Sequence, residues 1–470
     1  MNAKLSTSLS ALLALLAVPA VAQQSPEAQL VVASSDTRVA RDDSSKVDSI
    51  PVAWPKDAKR RLLLRNIEIQ HIRPQDQRGI NVFESPKNDN VAFTGFKLSW
   101  GAAFTQQFQS INHQTAAGER LVNDANVNEL MEIGAGFNNA TANLYLNAQL
   151  APGIRVALTS YLSSRHHNET WVKDGYLLID DSPIDVPALK SLMKYLTIKA
   201  GHFEVNYGDA HFRRSDNGNA MHNPFVGNLL MDAFTTEIGG EVYVRSGPWM
   251  VMGGVTGGEI RGNVTRPADR SLAFLGKVGY DDQLNDNLRV RLTGSLFQQA
   301  EAISNTLYAG DRAGSRYYFV MENFQATESA QFSSGLLNPG FRSKVKAFMV
   351  NPFVKYRGLE LFGVAERAEG RAANETETRV WDQYAAEAVY RFLPNEDMFV
   401  GARYNTVKGD LTGMPDVSIE RVQLGAGWFI TPSVLLKGEY VTQSYFDFPL
   451  SDIRSGGVFN GFVVEGVVSF

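Results

Sequence analysis

The chain is 470 residues long, 44% hydrophobic and 10% aromatic, with 40 glycines, no cysteine and a formal net charge of −5. Zero cysteine excludes a disulfide scaffold, a thiolate metal site and a cysteine nucleophile, and 45 basic against 50 acidic residues do not make a nucleic-acid binder. Past residue 22 no apolar run approaches the ~18–20 residues of a membrane-spanning helix, which excludes a helical membrane protein.

Residues 1–22 place Lys4 in a short polar start, an apolar stretch at 9–18, and Ala20 and Ala22 in an A-x-A spacing. That is the layout of a cleavable secretory signal. Residues 23–90 follow as a leader. The part at 23–60 is polar, carries Pro26, Pro51 and Pro55, and shows no sustained period, so it reads as flexible. Residues 61–90 firm up locally, with Ile67 and Ile69 alternating against polar neighbours, and read as an extra strand, a periplasmic segment or a partial plug.

From Val91 to Phe470 the chain counts in twos. Phe96, Leu98, Trp100, Ala102 and Phe104 alternate with polar or small residues, and Ala140, Ala142, Leu144, Leu146, Ala148 and Leu150 repeat the pattern. Ala151-Pro152-Gly153 then turns the chain into Ile154, Val156 and Leu158. Successive side chains of a strand face opposite ways, so this pattern writes one oily and one wet face. Continuing it predicts sixteen strands, at 93–108, 137–150, 153–165, 170–180, 194–206, 235–246, 249–259, 271–281, 287–299, 343–357, 358–369, 379–392, 397–408, 418–430, 433–446 and 458–470. Strands 170–180 and 358–369 fit either phase. Connections at 151–152, 247–248, 282–286, 393–396 and 431–432 are short, whereas 109–136, 207–234, 300–342, 409–417 and 447–457 are long. A short 166–169 and an insert at 181–193 break that rule.

In lipid every backbone N–H and C=O must be paired, so strands cross only as a closed barrel. An even strand count with alternating short and long connections predicts an all-β, transmembrane, antiparallel up-and-down β-barrel with short periplasmic turns and long extracellular loops. A large soluble antiparallel protein would also alternate. The aromatics decide against it. Trp249, Tyr280, Tyr356, Phe392 and Trp428 sit beside short turns, and Phe470 ends the last strand, all in the outward phase. Amphipathic rings gather at the headgroup level, so a belt at one strand end marks a membrane interface. The ending Phe462, Val464, Gly466, Val468, Phe470 resembles the terminal strand of outer-membrane barrel proteins.

With a signal peptide and sixteen strands the chain resembles bacterial porins, and more narrowly the phosphate-selective porin O/P family. The resemblance rests on WVKDGYLLID at 171–180, LTIKAGHFEVNYGDAHFRRSDN from Leu196, and LLKGEYVTQSY at 435–445. It covers most of 91–470. The stretches 76–90 and 213–228 match nothing in that family and mark a divergent relative. The resemblance implies location in the outer membrane of a Gram-negative bacterium, contact with its lipid and lipopolysaccharide, and a homotrimer. It also implies a third outer loop folded inward as a constriction. That loop is 207–234, with Asp209, His211, Arg213, Arg214 and Asp216, and its paired arginines read either as a cationic eyelet or as a solvated surface turn.

By alternation the lumen receives Lys97, Arg155, Lys199, Arg245, Lys277, Arg289, Arg291, Lys355, Arg391, Arg403, Arg421 and Lys437, against Glu237, Glu241, Glu360, Glu366, Glu387, Glu439 and Glu465. Basic groups outnumber acidic ones, and rings of Arg or Lys favour anions, with the guanidinium fork matching oxyanions. Pairing across strands would cancel much of that field, so the expectation is weak, phosphate-like anion preference. The candidate pore-lining and solute-binding residues are Arg213, Arg214, Arg289, Arg291, Arg403, Arg421, Lys277, Lys199, Arg155 and Lys437.

No catalytic motif stands out. There is no H-E-x-x-H, no G-x-S-x-G and no phosphate-cradling glycine loop. His166–His167 falls in a short loop, and His211 and His222 with Asp209, Asp216 and Asp232 read as ordinary loop polar groups rather than a metal site. The expectation is a non-enzymatic porin without metal or cofactor, passing small hydrophilic solutes by passive diffusion. The alternative is a non-conducting barrel that acts as a surface binding or adhesion protein through 207–234 and 300–342.

Overall fold

The computed structural model describes residues 63–85, 87, 91–137, 141–163, 170–182, 184–258, 271–309, 316–327, 333 and 335–470. The signal sequence at 1–22, the leader to residue 62, and His166 and His167 lie outside the described residues.

The sixteen strands are β1 (Lys97–Gln114), β2 (Thr141–Ala151), β3 (Ile154–Ser163), β4 (Thr170–Ile179), β5 (Leu196–Glu204), β6 (Thr236–Ser246), β7 (Trp249–Thr256), β8 (Ala273–Asn285), β9 (Leu288–Gln299), β10 (Lys344–Tyr356), β11 (Leu359–Arg371), β12 (Arg379–Phe392), β13 (Met398–Leu411), β14 (Met414–Thr431), β15 (Val434–Phe446) and β16 (Val458–Ser469). Each pairs antiparallel with the next. β16 returns to β1, with Phe104 opposite Val468 and Ser110 opposite Phe462, so no edge remains. A two-residue piece, Gly136–Phe137, adds to β1 as the extra member of the sheet.

The wall alternates as expected. Leu361, Tyr390, Leu424, Trp428 and Phe462 are exposed on the outside, while Glu360, Arg391, Gln423, Glu439 and Glu465 are buried inside. A closed antiparallel barrel with this oily exterior is one built for lipid. In the aromatic belt Trp249, Tyr356, Trp428 and Phe470 are exposed; Tyr280 and Phe392 are half-buried. Tyr280 packs edge-on against Trp249 at 5.0 Å and Phe392 stacks on Tyr390 at 6.1 Å.

Two departures have local causes. The long loop expected at 409–417 is a tight hairpin: β13 and β14 stay paired out to Leu411 and Met414, and Gly413 turns the chain at φ +76. Pro415 brings no amide to that ladder, and the register shifts between Gly409 and Leu411 opposite it. In β4, Asp174 faces Thr159 and Val172 faces Ser160, which leaves Lys173 as an extra residue. This bulge reverses the phase midway, which is why the strand fits both phases by pattern. It also aims Lys173 into the lumen. The expected insert between β4 and β5 carries a short helix, α1 (Pro187–Met193).

The lumen has its own packed core. Residues 205–235, between β5 and β6, descend its full height. Thr105 and Asn143 on the wall bond Gly218 O and Asp216 O at 2.7 and 3.0 Å, and Phe225 reaches a cluster with Val389, Phe399, Phe429, Leu435 and Val467 beside the short turns. The loop between β9 and β10 folds in behind it, burying Leu307, Tyr308, Tyr317, Val320 and Leu337.

Residues 63–85 cross the short-turn mouth like a floor. Gln70 N binds Gln149 at 2.9 Å, Gln77 N binds Pro432 O at 2.9 Å, Arg289 binds Asn81 O at 2.9 Å, and Arg245 binds Ser85 O at 2.9 Å. Those anchors come from β2, the β14–β15 turn, β9 and β6. Each satisfies a backbone or amide group that has left water, as burial requires.

Candidate solute path in the barrel lumen

The charged side chains of the lumen are mostly occupied by one another or by the inner segments. Lys277 meets Asp209 at 2.7 Å and Glu84 at 3.0 Å, and Arg291 meets the same two carboxylates at 2.8 Å each. Arg289 pairs with Asp281 at 2.7 Å. Arg403 grips Glu387 at 2.8 Å and also donates to Gly227 O at 2.8 Å. Lys437 donates to Ala220 O, Asn223 O and Phe225 O at 2.8–2.9 Å while pairing with Glu465 at 2.8 Å. Arg421 pairs with no carboxylate among the described residues; it binds Asn228 O at 2.7 Å, Gly335 O at 3.1 Å and Gln443 at 2.6 Å. Lys199 lies 3.5 Å from Glu241 and over the Phe203 ring.

The two loop arginines part company. Arg213 reaches Glu387 and Glu360 at 3.4 and 3.5 Å and bonds Asn81. Arg214 turns to Asp232, with Nε 3.0 Å from its carboxylate. Wall cations such as Lys437, Arg403 and Arg421 therefore serve as anchors for loop carbonyls. Buried charges need such partners, because an uncompensated one costs several kcal/mol (about 3–5).

Several groups central to this network were not among the sequence candidates. Lys173 binds Glu204 at 2.7 Å and also Asp216, which Tyr161 bonds as well. Its bulge hid it from the alternation. Glu84 and Arg73 come from the leader, where no period marks a face. Arg73 donates to Gly79 O at 3.0 Å and Phe212 O at 2.8 Å. Burial pulls its guanidinium down to about 10, partly offset by Glu204, so it stays cationic at neutral pH.

The loop histidines point to different partners. His211 meets Asn206 at 3.0 Å, and His222 lies 3.3 Å from Asp76 O. Burial, reinforced by Lys277 for His211 and by Arg73 for His222, holds both imidazoles well below their usual range and neutral. Asp209, Asp216 and Asp232 are taken by lysines and arginines, and among the described residues no group of three metal-ligating side chains converges.

Space remains between this core and the β2–β6 wall. A cavity of about 230 Å³ is lined by Arg73, Tyr145, Arg155, Lys173, Lys199 and Arg245 among others. A second, of about 70 Å³, shares Ile72, Arg73 and Tyr145 with it and extends to Trp100 and Phe470. A third, of about 350 Å³, shares Phe83, Ser85 and Arg245 and extends to Gly247 and Trp249. The open volumes thus follow residues 63–85 toward the short-turn rim.

The architecture is that of a Gram-negative outer-membrane barrel. No family model matches the sequence, the phosphate-selective porin O/P family included, and no curated protein does. Among solved structures the chain is similar to the anion-selective porin from Comamonas acidovorans, at 11% identity and TM-score 0.49 over 80% of this chain and 100% of that one. It is similar to the outer membrane channel DcaP of Acinetobacter baumannii at 11% identity and TM-score 0.46, over 81% of this chain and 99% of that one. OprB of Pseudomonas putida stands at 11% identity and TM-score 0.46, over 80% and 94%. At such identities nothing those proteins carry passes to this chain.

Proposed function

We propose that the chain is an outer-membrane porin through which small hydrophilic solutes diffuse passively, with weak preference for anions. The observation that carries this reading is the cavity of about 230 Å³ held between the charged wall and the inner segments, with companion cavities reaching the short-turn rim. A closed wall with polar groups inside and oil outside suits a wet path through the lumen. Most lumenal cations are already paired, which supports weak rather than strong selectivity. Residues 63–85 act in this reading as a partial plug that narrows the path. The chain works as a homotrimer among outer-membrane lipid and lipopolysaccharide. The aromatic exterior along β1 and β16, with Phe96, Trp100, Phe137 and Phe462 exposed, supports that assembly.

The filled lumen favours a second reading, a non-conducting barrel that binds partners at its surface. Purified protein in a planar bilayer separates the two. Steady conductance steps, with a reversal potential in a salt gradient displaced toward the anion, are expected for the porin. Silence from folded protein would refute it, and cation preference would remove the anion clause.

A further inference from the structure

Three of the four arginines that line the cavity of about 230 Å³, Arg73, Arg155 and Arg245, differ from the other lumenal cations. Among the described residues Arg73 binds the carbonyls of Gly79 and Phe212, and Arg245 donates to Ser85 O at 2.9 Å. Arg155 donates to Asn147 at 3.0 Å and His71 O at 3.2 Å, and its Nε has no hydrogen-bond partner among the described residues. None of the three pairs with a carboxylate among the described residues. The acids that line the cavity are Glu84, Asp174, Glu204 and Asp216, against the six cations Arg73, Arg155, Lys173, Lys199, Arg214 and Arg245. Glu84 belongs to Lys277 and Arg291, Asp216 and Glu204 belong to Lys173, and Asp174 lies 4.0 Å from the same lysine. The cavity therefore carries surplus positive charge on planar forks, which are shaped for oxyanions.

The same cavity has apolar faces. Tyr145, Tyr176 and Phe212 line it, and the Tyr145 hydroxyl, like Arg155 Nε, lacks a hydrogen-bond partner among the described residues. A volume of about 230 Å³ is several times the ~30 Å³ share of one water, so a simple inorganic anion would leave most of it wet. We infer that this cavity, with Arg73, Arg155 and Arg245 facing Tyr145, Tyr176 and Phe212, binds a small carboxylate with a flat apolar body. The inference rests on the porin reading for how solute arrives, and names the class of solute the path prefers. Because Arg73 lies on the inner floor and Arg155 and Arg245 lie on the wall, the bound carboxylate bridges the two.

The test uses the full chain refolded in detergent and benzoate as probe, read by calorimetric titration and by block of ion current in a planar bilayer. Benzoate is expected to bind one per barrel. Arg155→Gln and Arg245→Gln are each expected to weaken it about tenfold, the loss of one charge-assisted contact. Tyr145→Phe tests the orphan hydroxyl without removing charge, and the gel shift of unboiled protein verifies that each barrel has folded. Benzoate affinity unchanged in all three folded variants would overturn the site. So would inorganic phosphate competing as well as benzoate, since the aromatic faces would then contribute nothing. The two readings fail separately. Current steps in potassium chloride without benzoate binding refute the site alone, and benzoate binding without current steps refutes the porin alone.

Discussion

Lys437→Met tests whether wall cations hold the inner loop in place. The Lys437 side chain is 1% exposed, and its ammonium donates to three carbonyls of the 220–225 stretch at 2.8–2.9 Å while pairing with Glu465 at 2.8 Å. Methionine keeps the length of the side chain and supplies no donor. Hydrogen bonds from a charged group contribute about 1.5–3 kcal/mol each, and stripping one partner from a buried ion pair costs about 3–5 kcal/mol. Glu465 retains Gln107 at 2.6 Å and Arg316 at 3.4 Å, which offsets part of that loss. A net weakening of about 3 kcal/mol shifts the ratio of seated to unseated loop about a hundredfold, at 1.4 kcal/mol per factor of ten. Phe225 still sits in its apolar cluster, so the barrel wall survives and the loop loosens. The expected result is faster protease cleavage within 205–235 and larger, noisier single-channel currents. Folded Lys437→Met protein with unchanged cleavage and unchanged traces would refute the anchoring role.

Deleting 63–85 removes the floor across the short-turn mouth, and mean single-channel conductance is expected to rise; an unchanged value would argue against a plug. Asp209→Asn leaves Lys277 and Arg291 with only Glu84 and Asp281, an expected loss of about 3–5 kcal/mol read as a lower denaturant midpoint. Burial raises the Asp209 carboxyl pKa, but Lys277 and Arg291 outweigh it and hold the group below its usual value. Its stabilisation is therefore complete above the ordinary carboxylate range and fades as pH falls through the lowered value. Wild-type stability should drop in acid more steeply than that of Asp209→Asn, and parallel curves would sink the claim. Leu424→Arg places charge on the lipid face, where Leu424 is 52% exposed, and is expected to cost up to about 2–4 kcal/mol near the bilayer midplane on refolding into vesicles.

The amino-acid sequence by itself determined the wall. Period two is a property of one strand, so the oily and wet faces, the strand count and the aromatic belt could be read residue by residue. Boundaries slipped where pairing outlasts the membrane, as at Leu411 and Met414. What occupies the lumen is a matter of contacts between residues far apart in the chain, such as Lys437 with Phe225, Arg291 with Glu84 and Arg245 with Ser85. No local period records those. The sign of the charge facing inward was legible, yet its meaning was not, because an arginine facing the lumen can meet a carboxylate, a loop carbonyl or open space. Only the tertiary structure separated Arg403 and Lys437, which hold the loop, from Arg155 and Arg245, which lack a carboxylate partner among the described residues beside a cavity. Lys173 shows the limit most plainly: one extra residue against Ser160 reverses a face, and pairing alone decides where the bulge falls.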